Sequence, residues 1–302
     1  MPIPACRRVW ISCAPGFTLI ELLVVVAVIS LLIGLLVPAL AAARETANGL
    51  VCQSNMRQIG IGFYTYATDY DDRLVPHSWA DEELADLFGF FNTRRTWCVA
   101  EIDGDPEELF AASSVGRYLD SVEQIAGCPN WDPPAEYLQE NFYDNEFVHN
   151  YPALDYGYNG KMLGIPSPLP QEGPSRWIPF RISALKGPST TIMLADHAVY
   201  VTDATGNLMF SAEFELQPPA PDDYGPRAAS SATSEGATVH GRHRDGRANA
   251  LWVDGHVSEH VVRLEESAPE EREFQLGDIF EGDTPTNDWW DGGIRNRDTT
   301  SE

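Results

Sequence analysis

From Leu22 to Ala43 the chain runs for 22 residues without a charged side chain, "LLVVVAVISLLIGLLVPALAAA", directly after Glu21. As a helix rising ~1.5 Å per residue this run reaches ~33 Å, enough to cross the ~30 Å hydrocarbon layer of a bilayer. Arg7 and Arg8 stand ahead of it. That placement keeps the amino end in the cytoplasm and sends the rest of the chain outward. Glu21 is the anomaly, because a membrane-embedded carboxylate costs ~2.5–3.5 kcal/mol on insertion scales and calls for a partner.

Three readings fit such a start. A secretory signal peptide would run its apolar region to Leu40 and be cut near "ALAAAR". Ordinary signal peptides, however, have apolar regions of only ~7–15 residues and carry no glutamate there. A plain anchor would leave Glu21 at the interface. A lipoprotein through Cys13 is excluded, since the apolar segment follows the cysteine. The third reading rests on residue order. "GFTLIELLVVVAVISLLIGLLVPAL" (Gly16 to Leu40) resembles the start of the type IV pilins and type II secretion pseudopilins over its whole length. The resemblance implies that a prepilin peptidase cuts after Gly16 and methylates the new amino terminus, Phe17. It further implies that Phe17, Glu21 and the helix-bending Pro38 serve assembly, with Glu21 of an incoming subunit meeting the amine of a neighbour. That α-amine, with a pKa of ~7.7–8.0, is largely cationic at neutral pH and would neutralise the carboxylate. The implied setting is the bacterial inner membrane, crossed once, with an extracytoplasmic head and other pilin or pseudopilin subunits as partners.

After Pro38 the pattern stays helical. Ala47, Leu50, Val51, Met56, Ile59, Phe63, Tyr66, Ala67 and Tyr70 recur at three- and four-residue steps between polar residues. This predicts an amphipathic stem laid on a core. Gly60 and Gly62 weaken the helix locally and permit close packing, and Pro38 lacks an N–H and predicts a kink. "DYDDRLVP" ends the stem; it lacks the EF-hand spacing and reads as a solvated acidic turn.

Asp and Glu number 45 against 20 Lys and Arg, a formal charge of −25. Such a surface repels phosphate backbones, so no nucleic-acid partner is expected. Aromatic content of 11% argues for a folded head. Residues 80–91 and 107–120 suggest short helices, and the prolines of "GCPNWDPPAEY" (Gly127 to Tyr137) a loop. "STTIMLADHAVYVTD" and "LMFSAEFEL" have the β-branched enrichment and alternation of strands. "ANALWVDGHVSEHVVRL" reads as a hairpin turning at Asp254-Gly255, a type I′ signal.

That hairpin carries a second resemblance. "RHRDGRANALWVDGHV" (Arg242 to Val257) is similar to the C-terminal signature of a group of processing-associated pseudopilin-like proteins, in which a histidine, nine residues and Asp-Gly recur. Here ten residues separate His243 from Asp254, which suggests a longer turn at Arg244–Arg247. The stem "CQSNMRQIGIGFYTYATDYDDRLVP", "CP" at Cys128 and "DYGYNGKM" also resemble that group.

His240, His243, Asp245, Asp254, His256 and His260 lie close together in sequence. One reading is a structural hairpin with surface histidines. Another is a cation site built from Asp196, His243, Asp254 and His256, with calcium ahead of zinc because type II major pseudopilins carry a calcium site in the head. Catalysis has little support, since no serine or cysteine motif accompanies the histidines. The five cysteines, Cys6, Cys13, Cys52, Cys98 and Cys128, form no C-x-x-C pair, so spacing gives no zinc-knuckle signal. The resemblance implies a Cys52–Cys128 staple between stem and head, with Cys98–Cys128 next; either would contribute roughly 3–5 kcal/mol.

The expected fold is α+β and pilin-like, a long N-terminal helix packed on an antiparallel sheet. Its expected parts are a leader (1–16), a transmembrane and assembly helix (17–43), an amphipathic stem (44–70), a head (71–263) and an acidic tail (264–302) whose tryptophans dock on the head. The expected function is that of a structural subunit of a type II secretion or type IV pilus-like fibre, a substrate of an enzyme and not one itself. The rivals are a membrane-anchored binding module for a cation or carbohydrate that does not polymerise, and a metal-dependent hydrolase at the histidine cluster.

Overall fold

The computed structural model describes residues 18–76, 79–80, 94–95, 113–119, 127–131, 155–164, 179–202, 208–211, 216, 238–264, 275–280 and 289–290. The chain divides into two compact units, Met1–Arg44 and Glu45–Glu302. Helix α1, Leu19–Asp69, begins in the first and ends in the second, with Pro38 inside it.

In the first unit the large apolar side chains stand exposed all round the helix, from Leu19 at 86% to Leu40 at 71%. A helix apolar on every face needs an apolar solvent or apolar neighbours to cover it. Among the described residues, α1 is one helix long and apolar enough to cross a membrane.

In the second unit the rest of α1 buries Cys52, Asn55, Met56, Ile59, Gly60, Gly62, Phe63, Tyr66 and Ala67. The steps 52, 56, 59, 63 and 66 trace one face at the helical period. The stripe differs from the one expected from hydrophobicity: Leu50 (60%), Val51 (47%) and Tyr70 (41%) are exposed, while Cys52 and Asn55 face inward. Polar bonding turns the face, because Cys52 meets Tyr156 OH and Asp196 Oδ1 in the core. Gly62 is a close approach. A β-carbon on it would lie 2.6 Å from Val115 Cγ1 and 3.0 Å from Leu119 Cδ2.

The sheet beneath the stem is antiparallel, in the order β3 (Tyr156–Tyr158), β4 (Ile192–Asp196), β8 (Arg247–Trp252), β9 (Val257–Val261). Every residue of β4 is buried, which is why its sequence, "IMLAD", is an apolar run instead of an alternation. Phe63 of α1 meets Tyr158 of β3 at 5.0 Å between ring centroids. Between β3 and β4 come the single-turn helix α2 (Gly160–Leu163) and 3₁₀ turns at Ile182–Ala184 and Pro188–Thr190. Two-stranded ladders pair β1 (Trp79–Ala80) with β2 (Arg94–Arg95) and β5 (Val199–Thr202) with β6 (Leu208–Ser211). A third pairs β7 (Val239–His240) with β10 (Leu276–Gly277). The helix and antiparallel sheets make an α+β, pilin-like arrangement. Of the two short helices expected in the head, the later one is a 3₁₀ turn at Gly116–Tyr118 where described, and of the earlier only Ala80 is described, in β1.

The β8–β9 hairpin forms where expected, with a different turn. Gly255 alone has positive φ (91°) among its loop residues, and Gly255 N–H donates to Trp252 O at 2.9 Å while Trp252 N–H donates to His256 O at 2.9 Å. A type I′ turn needs two left-handed residues. This is the longer loop, a type I-like turn closed by a left-handed glycine. The acidic segment after residue 263 also reaches the core. Trp290 is fully buried; its carbonyl accepts from Asn159 Nδ2 at 2.8 Å, and the Trp289 carbonyl accepts from Ile192 N–H at 2.6 Å.

Candidate functional site

Among the described residues two places carry chemistry, one in each unit. At the start of α1, Thr18 and Glu21 cap each other. Thr18 N–H and Thr18 Oγ1 both donate to Glu21 Oε2 at 2.8 Å, and Glu21 N–H donates to Thr18 Oγ1 at 3.2 Å. This reciprocal box satisfies backbone donors that a helix start leaves open. The spacing "TLIE" carries that signal on its own, a second duty for Glu21 beyond the amine partner expected of it. Gly16 and Phe17 lie outside the described residues.

The second place is in the head. Cys52 of α1, Cys128 in the turn at 127–131, Asp196 at the end of β4 and His243 just before β8 bring one ligand atom each within 4.8 Å of one another. Exposure is 0% for Cys52 and Asp196, 3% for Cys128 and 5% for His243. Each element aims its residue inward for a local reason. Cys52 lies four residues before Met56 on the buried stripe. Asp196 ends a strand buried on both faces, and His243 pairs with Arg247 across a tight turn whose Asp245 (φ 60°) and Gly246 (φ 67°) are left-handed. The turn lies at Arg244–Gly246, within the stretch where a longer turn is expected.

His243 Nε2 lies 2.9 Å from Asp196 Oδ2 and 3.6 Å from Cys128 Sγ, and Cys52 Sγ lies 3.3 Å from Asp196 Oδ1. A second ring of polar groups holds these in place. Tyr156 OH is 3.2 Å from Cys52 Sγ, Asn249 N–H donates to Asp196 Oδ2 at 2.6 Å, and Cys128 N–H donates to Asp155 Oδ2 at 2.6 Å. Asn130 Nδ2 meets His243 Nδ1 at 3.2 Å, and Asn249 Nδ2 meets its Nε2 at 2.7 Å. The buried guanidinium of Arg242 lies 4.0 Å from Asp155, 4.4 Å from the centre of the Trp131 ring, and bonds the His197 carbonyl.

These contacts move protons. Burial pushes the Cys52 thiol well up. The hydrogen bond from Cys52 outweighs burial at Cys128 and, with His243, brings it down to about 6. Burial opposes the charged form of His243, yet the Asp196 carboxylate and Cys128 raise it to about 10. Burial lifts Asp155 to about 7 against the pull of Arg242. A thiolate beside an imidazolium is the pairing that activates a nucleophile. Here both groups are closed off from solvent, and that favours a structural use over attack on a substrate.

Of the cation set expected from sequence, Asp196 and His243 come together, but Asp254 and His256 do not join them. His256 Nδ1 contacts Asp254 Oδ1 at 2.5 Å on the exposed hairpin turn. The six residues of β8, at ~3.3 Å each, hold the two turns ~20 Å apart. Two sulfurs also make the cluster unsuitable for calcium, which takes six to eight oxygens. Cys52 and Cys128, expected as a staple, are neighbours in this cluster and are both free thiols in the structure; Cys98 lies outside the described residues. Sequence reading did not bring Cys52 and Cys128 together with Asp196 and His243, nor place Asn130, Asp155, Tyr156, Arg242 and Asn249 around them. The legible hint was a lone carboxylate ending the apolar run "IMLAD" and a lone amide inside "ANALW".

Residues 12–37 match the prokaryotic N-terminal methylation motif. A stretch of 38 residues is 58% identical to the type IV wide pilus major component PilA4 of Thermus thermophilus, covering 13% of this chain and 29% of that protein. The chain thus carries a prepilin-type N-terminal segment with type IV pilin similarity, and the similarity spans less than a third of that relative. No solved structure matches the chain.

Proposed function

We propose that the chain is a pilin-like structural subunit, cut after Gly16, methylated at Phe17 and polymerised through its apolar helix into a type II secretion or type IV pilus-like fibre. One observation carries this reading: the methylation motif over residues 12–37 includes Gly16, Phe17 and Glu21 in order, ahead of the uncharged run. Cleavage by a prepilin peptidase frees an α-amine on Phe17. In the membrane that amine on one subunit neutralises Glu21 of the next, and leaving one partner of a buried pair alone costs roughly 3–5 kcal/mol. Glu21 then fixes the stagger between neighbouring helices, while the acidic head remains extracytoplasmic. The capping contacts of Glu21 with Thr18 give the carboxylate a partner before assembly. The hairpin's likeness to the processing-associated pseudopilin-like group fits the same role.

The test is Glu21→Ala in the native host. Processing to Phe17 is expected to proceed, while cross-linkable oligomers and fibres disappear. Fibres in normal amount from the variant would refute the pairing of Glu21 with the Phe17 amine, and wild-type protein that forms neither oligomers nor fibres would refute the polymerisation and leave a membrane-anchored binding module.

A further inference from the structure

The head's buried cluster asks for more than its cysteines. A disulfide between Cys52 and Cys128 would use both sulfurs and still leave unexplained why a carboxylate and an imidazole converge on them. We propose that Cys52, Cys128, Asp196 and His243 bind one divalent transition-metal ion of the zinc class, in a closed structural site that ties the stem helix to the sheet.

The donor chemistry selects the ion. Two thiolates, an imidazole nitrogen and a carboxylate oxygen are zinc ligands, whereas calcium and magnesium take oxygen. The geometry is close to what such an ion needs. Metal–ligand bonds of ~2.0–2.3 Å in a tetrahedron place ligand atoms ~3.3–3.8 Å apart. The Cys52 Sγ–Asp196 Oδ1 separation is 3.3 Å and the Cys128 Sγ–His243 Nε2 separation is 3.6 Å. His243 Nε2 lies 2.9 Å from Asp196 Oδ2, a direct contact that opens by a small shift when Oδ1 turns to the ion and Oδ2 keeps its bond from Asn249 N–H.

Four protein ligands at 0–5% exposure leave no open position for substrate or water, the mark of a structural rather than a catalytic centre. The surrounding groups suit ligation once the Asn249 side-chain amide, 2.7 Å from His243 Nε2, turns away from the ring. With the ion on Nε2, the ring proton moves to Nδ1, where the Asn130 side-chain amide, turned over, accepts it. Tyr156 OH donates to the Cys52 sulfur, and the Cys128 backbone is held by Asp155. Two thiolates and a carboxylate carry three negative charges. A divalent ion leaves one, and the buried Arg242, which also faces Asp155 at 4.0 Å, offsets part of the remaining charge. Binding releases the thiol protons to solvent. The ligands come from segments far apart in sequence, so the ion closes the head across the stem helix, the 127–131 turn, the sheet and the hairpin. This inference rests on the head alone and stands whether or not the chain polymerises.

The experiment uses the full chain, extracted from its own membranes in mild detergent without chelator. Metal content is measured by mass spectrometry, and the protein stripped and reloaded with cobalt is read by absorption. About one zinc per chain is expected, as are the tetrahedral ligand-field bands and thiolate-to-cobalt charge transfer of a two-sulfur site. Cys128→Ser should weaken the charge-transfer band, and Cys52→Ser with Cys128→Ser should abolish it and lower zinc content at least ~tenfold. His256→Ala, on the exposed turn, should retain the metal and serves as the folded control. Wild-type protein carrying a Cys52–Cys128 disulfide, or two free thiols with no metal and no cobalt charge transfer, overturns the proposal. So does metal that survives in the double serine variant.

Discussion

Replacing Trp290 by alanine tests whether the C-terminal acidic segment is part of the head's core. Trp290 is fully buried and its indole N–H donates to the Ile279 carbonyl at 3.3 Å. A tryptophan buries up to ~250 Å², which at ~25 cal/mol/Å² sets an upper limit of ~6 kcal/mol. Partial collapse of the site brings the expected cost to ~3–5 kcal/mol. With a urea m-value of ~3 kcal/mol/M for a head of this size, the midpoint should fall by ~1–1.7 M. Near-ultraviolet circular dichroism of the full chain in non-ionic detergent reads that transition, since it reports packed aromatic side chains and not the micelle-bound helix. Trp290→Phe keeps most of the ring and loses the N–H, and should cost ~1–2 kcal/mol. A midpoint for Trp290→Ala within ~0.3 M of wild type would contradict the packing of Trp290, because a side chain whose loss leaves stability unchanged is not packed in a core.

Two further predictions concern the stem. Gly62→Ala adds a methyl 2.6 Å from Val115 Cγ1; although alanine favours a helix by ~1 kcal/mol, overpacking of ~1–3 kcal/mol should win, and a raised urea midpoint would contradict the packing described. Tyr64 donates to the Val253 carbonyl, and burial, then the charge of Asp254, raises its phenol from 10.0 to about 12. A raised folded pKa means that this contribution is intact below the unfolded value and is lost as pH rises through the folded one. Stability should therefore fall between pH 10 and about 12 more steeply in wild type than in Tyr64→Phe, and parallel pH profiles would contradict it.

Much of this fold is legible in the sequence because its signals are local. The uncharged run, the helical period after Pro38, the apolar "IMLAD" and the Asp254-Gly255 turn each lie within a few residues of what they specify. Apart from the turn type at Asp254-Gly255, what sequence reading got wrong depended on distant partners. The stem's buried face is rotated toward Cys52 and Asn55, since Cys52 finds Tyr156 and Asp196 in the core, and no apolar count along the helix contains that fact. The four clustered side chains come from positions 52, 128, 196 and 243, so no ligand spacing exists to be read. Histidine density drew attention to Asp254 and His256, yet strand length keeps those two at the far end of β8. Trp289 and Trp290 were visible as apolar residues in an acidic stretch, and only the structure gives their bonds to Ile192 and Asn159.

The most direct test of the proposed subunit role is the mass of its N-terminal peptide, measured on protein taken from its native membranes. The expected chain begins at Phe17 and carries one N-methyl group. A chain that begins after the apolar run, near Arg44, or one that retains Met1, would contradict that role.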